Sequence, residues 1–102
     1  MPVTNRLTLE ATLAEPGSLR YTPAGIPVIE CVLQHRSVQA EAGGERRVDL
    51  ELAAFAVGPT AKALAEVASG AGLRVDGFLA RRYRTGVTLA LHINEFELCK
   101  GN

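Results

Sequence analysis

Arg81, Arg82 and Arg84 surround Tyr83 in the run Ala80-Arg81-Arg82-Tyr83-Arg84-Thr85-Gly86. Guanidinium groups grip phosphate as planar forks and also stack on bases. An aromatic ring set among them is a combination that holds single-stranded nucleic acid without reading its sequence. Groups of the same kind recur earlier in the chain: Arg20 with Tyr21, His35 with Arg36, and Arg46 with Arg47. All of these are candidate nucleic-acid-binding residues. Each has a plainer alternative. An Arg-Arg pair at a strand start also serves as a solvated edge that blocks sheet-to-sheet pairing. His35 can equally cap a strand end by hydrogen bonding, and Tyr21 is open between the two roles.

Covalent chemistry finds little support. The two histidines, His35 and His92, form no metal-ligand pair, and no GxSxG elbow or Walker motif is present. Gly70-Ala71-Gly72 leads into an expected strand, so it cannot cradle phosphate at a helix N-terminus. Glu95 and Glu97 have no nucleophile beside them in the sequence and read as a solvated edge. Cys31 and Cys99 lack zinc-ligand spacing. Cys31 lies in an apolar strand and reads as a small core residue, and a disulfide between the two is not expected. No catalytic residue, metal or cofactor is assigned. Eleven basic side chains balance eleven acidic ones, so the clustering of charge, not its total, points to nucleic acid.

The elements that must position these residues are mostly strands. A chain of 102 residues makes one domain, residues 1–102. Leu7, Leu9, Ala11 and Leu13 alternate with Arg6, Thr8, Glu10 and Thr12, the pattern of a half-buried strand. Leu19 to Thr22 is extended. Pro23 and Gly25 then form a tight turn, with Gly25 able to take a positive φ. A second strand runs from about Pro27 to Val38, and Ala40 to Glu45 reads as a mobile loop. A third strand, Arg46 to Val57, should turn Val48, Leu50 and Leu52 inward. Thr60 to Ala68 is the helical candidate, after Pro59 and before Ser69-Gly70. A fourth strand spans Leu73 to about Arg84, with a hairpin turn at Thr85-Gly86. The fifth, Val87 to Leu98, carries Val87, Leu89, Leu91 and Ile93 on one face. Phe96 and Leu98 then change phase, which predicts a bulge. His92, Phe55, Phe78 and Phe96 read as structural or interface residues.

Three strands, a short helix and two strands is the order of the OB-fold, an all-β five-stranded barrel with its helix between strands 3 and 4. Such a barrel binds its ligand across strands 2 and 3, with the loops 1–2 and 4–5 as clamps. The candidate residues fall on those elements. No apolar stretch approaches membrane-spanning length, and no charged-then-apolar leader is seen, so the expected location is cytoplasmic.

Thr4-Asn5-Arg6-Leu7, Pro23-Ala24-Gly25-Ile26-Pro27 and Leu33-Gln34-His35-Arg36-Ser37-Val38-Gln39 with Glu41-Ala42-Gly43 together resemble the primosomal replication protein N family, also called the PriB family. That family is related to the single-stranded DNA-binding proteins, and the resemblance covers essentially the whole chain. It implies an OB-fold and a single-stranded DNA ligand in the replication-restart primosome. It also implies a homodimer formed through the first strand, with Asn5, Leu7 and Leu9 at the interface. The implied partners are the PriA helicase and DnaT, with single-stranded DNA-binding protein a further candidate. Arg36 matches the basic residue after the histidine of the family's His-Arg-Ser motif, and Arg20 the basic residue before the turn. One departure stands out. Gly43-Gly44-Glu45-Arg46-Arg47-Val48-Asp49 has no aromatic residue where DNA-binding members resemble one another in having them. Each stacked base is typically worth ~1–3 kcal/mol, so weak DNA binding is expected. Two other readings stay open. One is an adaptor whose basic face docks protein. The other is a general single-stranded DNA-binding protein, disfavoured because the sequence ends at Cys99-Lys100-Gly101-Asn102 without a Gly/Gln-rich tail.

Overall fold

In a computed structural model, residues 2–99 are described. Lys100, Gly101 and Asn102, on which the expectation about a tail rests, lie outside them. The elements are β1 (Leu7–Glu15), β2 (Arg20–Tyr21), β3 (Pro27–Glu41), β4 (Gly44–Val57), α1 (Pro59–Ala65), β5 (Gly72–Arg81) and β6 (Leu89–Leu98). The strands form one sheet in the order β1-β5-β6-β4-β3-β2. All pairings are antiparallel except the short β4–β6 contact. The sheet closes because β1 serves two neighbours. Leu7 to Thr12 pair with β5, whereas Thr12, Leu13 and Glu15 pair with β3 across a bulge. The barrel is the expected OB architecture, with β2 a two-residue addition ahead of the second long strand.

Alternation sets the core. Ala11, Leu13, Ile29, Cys31, Leu33, Ala54, Ala56, Leu73, Val75, Leu91 and Ile93 point inward, and α1 adds Ala61 and Leu64 as a plug. Leu7 and Leu9 pack against this cluster from its margin. In β3 only the odd-numbered positions are buried, so Val28 and Val32 face outward. The turn into β3 is as the sequence dictates. The Gly25 N–H donates to the Thr22 carbonyl at 2.8 Å, and Gly25 has φ 83°. Pro27 opens the strand opposite Tyr21.

Four segments differ from expectation. Ala40 to Glu45 is no loop, because β3 and β4 stay paired out to Glu41↔Gly44. Only Ala42 and Gly43 turn, both with positive φ, which matches the twist of a tight hairpin. The outer part of this ribbon leaves the barrel behind. Val48 and Leu50 therefore keep the inward phase without a core to enter, and Leu50 stays exposed. The helix ends at Ala65, where Glu66 and Val67 close with short i→i−3 bonds, so Ala68 lies beyond it. Around Tyr83 the strands stop at Arg81 and resume at Leu89, leaving a loop over 82–88 closed by the Arg82 N–H donating to the Thr88 carbonyl. Val87 is consequently free in solvent. The predicted bulge is present. Asp76 opposes Glu95 and Gly77 opposes Ile93, so Asn94 is the extra residue. A Cβ at Gly77 would meet the His92 carbonyl at 1.9 Å, which reserves that position for glycine.

Candidate nucleic-acid interface

The outward phase of β3 and β4 forms one continuous strip. Cross-strand partners share a face. Val28/Val57, Glu30/Phe55, Val32/Ala53, Gln34/Glu51, Arg36/Asp49 and Val38/Arg47 therefore follow one another along it. Arg20 pairs with Val28 and joins the strip at its barrel end. The 82–88 loop covers the same end.

Arg82 does not project from that loop as a free cation. It folds back onto the strip and forms an ion pair with Glu30. Its Nε donates to the Tyr83 hydroxyl at 2.9 Å. Its guanidinium lies 5.7 Å from the Phe55 ring centre and 5.3 Å from that of Tyr83. The Tyr83 hydroxyl first, and the Glu30 carboxylate second, hold Arg82 further toward its charged form than usual. Its Nη1 is buried without a partner among the described residues. Arg20, Glu15, Glu30, Arg82 and Gly17 line a cleft of about 420 Å³ between the 16–19 segment and the 82–88 loop.

An aromatic row starts beneath Arg82. Phe55 stacks on His92 with centroids 5.5 Å apart and planes 22° apart. His92 stacks on Phe78 at 5.1 Å and 5°. The three residues lie on β4, β6 and β5, linked by the pairings Phe55↔His92 and Phe78↔His92. The column therefore crosses the sheet. Sequence reasoning left these residues out. The missed signal was phase: Phe55 sits between buried Ala54 and Ala56, and His92 between buried Leu91 and Ile93. An aromatic residue in the outward phase faces the solvent side of the sheet.

The remaining basic candidates are distributed as follows. Arg81 donates from Nη1 to the Arg84 carbonyl at 3.0 Å, and both side chains are exposed, as is Tyr83. Tyr21 is exposed next to Arg20. Arg36 lies 3.4 Å from Asp49, which also accepts from Gln34 Nε2 at 2.7 Å. Arg46 lies 3.5 Å from Glu41. Arg46 and Arg47 alternate, so they occupy opposite faces of the ribbon, with Arg47 on the strip. Arg36 sits six positions along β3 from Glu30, roughly 20 Å at ~3.3 Å per residue. The basic groups thus form two centres, one at each end of the strip, with Val32/Ala53 and Gln34/Glu51 between them.

His35 points the other way. Its Nδ1 meets the Glu10 carbonyl at 2.6 Å, and its Nε2 meets the Ser37 hydroxyl at 2.7 Å. A carbonyl only accepts, so Nδ1 donates to it, and in the neutral ring Nε2 accepts from Ser37. The ring ties β3 to β1 just past their last paired residues, Thr12 and Gln34. Asn5 also acts within the chain. Its amide donates to the Leu79 carbonyl at 2.8 Å and accepts from the Leu79 N–H at 3.0 Å, prolonging the β1–β5 ladder. Leu7 and Leu9 are half-buried against the core. Among the described residues, no strand pairs with the second edge of β1 over 7–11.

Comparison with known proteins fits this geometry. A family described as "another single-strand binding protein family" matches residues 5–95. The replication restart protein PriB of Bordetella pertussis is 40% identical over 98 residues, covering 96% of this chain and 92% of that relative. The solved PriB structure from Ralstonia solanacearum superposes with a TM-score of 0.86 at 38% identity, covering 94% of this chain and 98% of that one. The single-stranded DNA binding protein of Thermus aquaticus shares the fold, with a TM-score of 0.76 at 24% identity over 96% of this chain and 51% of that one.

Proposed function

Because the chain belongs to the PriB family of replication restart proteins, we propose that it binds single-stranded DNA across the β3–β4 strip and stabilises a helicase–DNA complex during restart. It binds and does no covalent chemistry. The observation that carries this reading is the barrel-end cleft. Arg20 and Arg82 line it, and the Arg82 guanidinium reaches over Tyr83 and over Phe55, where the stacked aromatic column begins, on the face that OB-folds use for ligands. The helicase would be PriA and the next factor bridged DnaT, with single-stranded DNA-binding protein a further partner. These partners follow from the family, as does a cytoplasmic site of action. No helix among the described residues is long and apolar enough to cross a membrane. The chain would act as a homodimer, using the unpaired edge of β1 over 7–11, so that two strips join into one path for DNA.

Titration of a fluorescent oligo-dT of a few tens of nucleotides at two salt concentrations tests the reading. Binding should be weak and should fall steeply with salt, because arginine contacts to phosphate would carry most of it. Tight binding that ignores salt, or none at low salt, would refute it.

A second reading applies to the outer ribbon. Arg36 and Arg46 are each matched by a carboxylate there. Cations and carboxylates standing side by side offer a protein partner complementary charges of both signs. Docking of the helicase on the ribbon is favoured by that pairing. Loss of helicase binding with DNA binding intact, after substitution of Arg36 and Arg47, is the result to seek.

A further inference from the structure

We infer that Glu30 stands in a phosphate subsite of the barrel-end cleft, its carboxylate holding the place of a nucleic-acid phosphate between Arg82 and Arg20. This rests on the single-strand-binding reading and names how that site is occupied before DNA arrives.

Glu30 lies in the outward phase of β3, directly opposite Phe55. A carboxylate at this point repels a phosphate backbone. Yet it is the counter-ion of the one arginine in the 82–88 loop that is folded inward. The pairing is incomplete. Arg82 spends Nη2 on Glu30 and Nε on Tyr83, and its Nη1 is buried with no acceptor among the described residues. Buried donors are normally satisfied, and one left over marks a place where an acceptor belongs. Glu30 contacts one edge of the guanidinium only. A phosphate offers more acceptor oxygens and suits the planar fork of arginine.

A second cation is placed for the same anion. Arg20 pairs with Val28, two residues before Glu30 and on the same face. Diagonal neighbours of this kind lie within reach of long side chains. Arg20, Arg82 and Glu30 all line the one cleft, with Glu15 as its other carboxylate. The floor is built closely. A Cβ at Gly17 would meet the Glu30 carbonyl oxygen at 1.8 Å, so only glycine lets the 16–19 segment lie against β3 here. Entry of a phosphate exchanges one anion for another: Glu30 swings to solvent, and Arg82 turns its fork to the phosphate. The exposed ring of Tyr83 lies beside that position, within reach of the adjoining base.

Glu30→Gln and Glu15→Gln separate this from a general charge effect. Each removes one negative charge from the same cleft, but only Glu30 touches Arg82. The probe is fluorescent oligo-dT, with anisotropy followed across a salt series and folding checked by circular dichroism. Glu30→Gln should bind several-fold more tightly at low salt. Its plot of log affinity against log salt should keep the parent's slope, because Arg82 meets the same phosphate in both, whereas Arg82→Ala should flatten that slope by about 0.7, the increment for one phosphate contact on a single strand. Glu15→Gln should change affinity less and leave the slope alone. Adding Arg82→Ala to Glu30→Gln should abolish the gain. If Glu30→Gln binds like the parent, or Glu15→Gln reproduces its effect, the subsite is wrong while the single-strand reading stands. If neither the parent nor Glu30→Gln binds oligo-dT at low salt, that reading fails and the subsite falls with it.

Discussion

Tyr83→Ala tests whether a ring, and not only charge, holds the ligand. Tyr83 is 59% exposed, and its hydroxyl is tied to Arg82 Nε. The ring adds little to the core, so its removal should cost below about 1 kcal/mol of folding stability. One base platform is worth ~1–3 kcal/mol, which corresponds to a loss of roughly 5- to 150-fold in affinity. Stacking releases no counterions, so the salt slope should stay unchanged. Tyr83→Phe keeps the ring and removes the hydroxyl. It should retain most of the affinity, since Arg82 remains held by Glu30 and Phe55. The assay is oligo-dT anisotropy at four or more salt concentrations, with thermal unfolding as the control. An unchanged affinity for Tyr83→Ala would refute the platform. A flattened slope would mean that Tyr83 acts only by positioning Arg82, and Tyr83→Phe should then be as damaged as Tyr83→Ala.

Asp49→Asn should strengthen DNA binding and steepen its salt dependence, because it frees Arg36 from its 3.4 Å partner; equal affinity would show that the ribbon does not meet DNA. Alanine in place of Arg84, which has no carboxylate partner among the described residues, should flatten the salt slope more than Arg36→Ala does, as measured in the same titration. Thiol labelling of the native protein should proceed quickly at exposed Cys99 and slowly at Cys31, whose thiol burial first, and the Glu30 charge second, push up to about 11. The Asp76 carboxyl is held below its usual value chiefly by the hydrogen bond from Arg6. Its stabilising effect is therefore complete above its unfolded value of ~3.9 and is lost as pH falls through the lower folded value. Denaturation at pH 7 and pH 3 should show Asp76→Asn to be less acid-sensitive than the parent.

The barrel was legible because alternation is a local property. Leu7 to Leu13, the odd positions of β3 and the bulge before Phe96 all follow from counting residues. The ribbon was less legible. Ala42 takes a positive φ that its residue type does not announce, so a two-residue turn looked like a six-residue loop. Val48 and Leu50 have the right phase but extend past the core, and phase alone does not say where a barrel ends. The site was legible as a list of types, not as a geometry. Arg82 and Arg84 are alike in sequence. Only the fold sets one against Glu30 and Phe55 and leaves the other in solvent. Glu30 itself was invisible, since a single carboxylate in an apolar strand carries no motif.

The same geometry explains how the chain could bind single strands without aromatic residues on its outer ribbon. The strip has a base-stacking end and a charge-balanced end. At the ribbon end, Asp49 answers Arg36 on the strip, and Glu41 answers Arg46 on the opposite face. An entering phosphate must displace a carboxylate at Arg36, as it must at Arg82 beside Glu30, so the aromatic groups are what set the two ends apart. At the barrel end the aromatic groups are concentrated instead. Tyr83, Arg82, Phe55, His92 and Phe78 make successive contacts across the sheet. The flat faces in the middle of that row are taken by one another, so a base would gain most at its ends. Tyr83 is one end. Phe78, 37% exposed on β5, is the other. Phe78→Ala decides whether the ligand path crosses the sheet or stays on β3 and β4. A path confined to the strip leaves affinity unchanged, apart from a small loss of stability. A path across the sheet costs ~1–3 kcal/mol in binding with no change in salt slope. It should also make a longer oligo-dT bind more tightly than a short one in the parent, an advantage that Phe78→Ala removes. If the variant binds long and short oligonucleotides as the parent does, the row is structural and the DNA keeps to the strip.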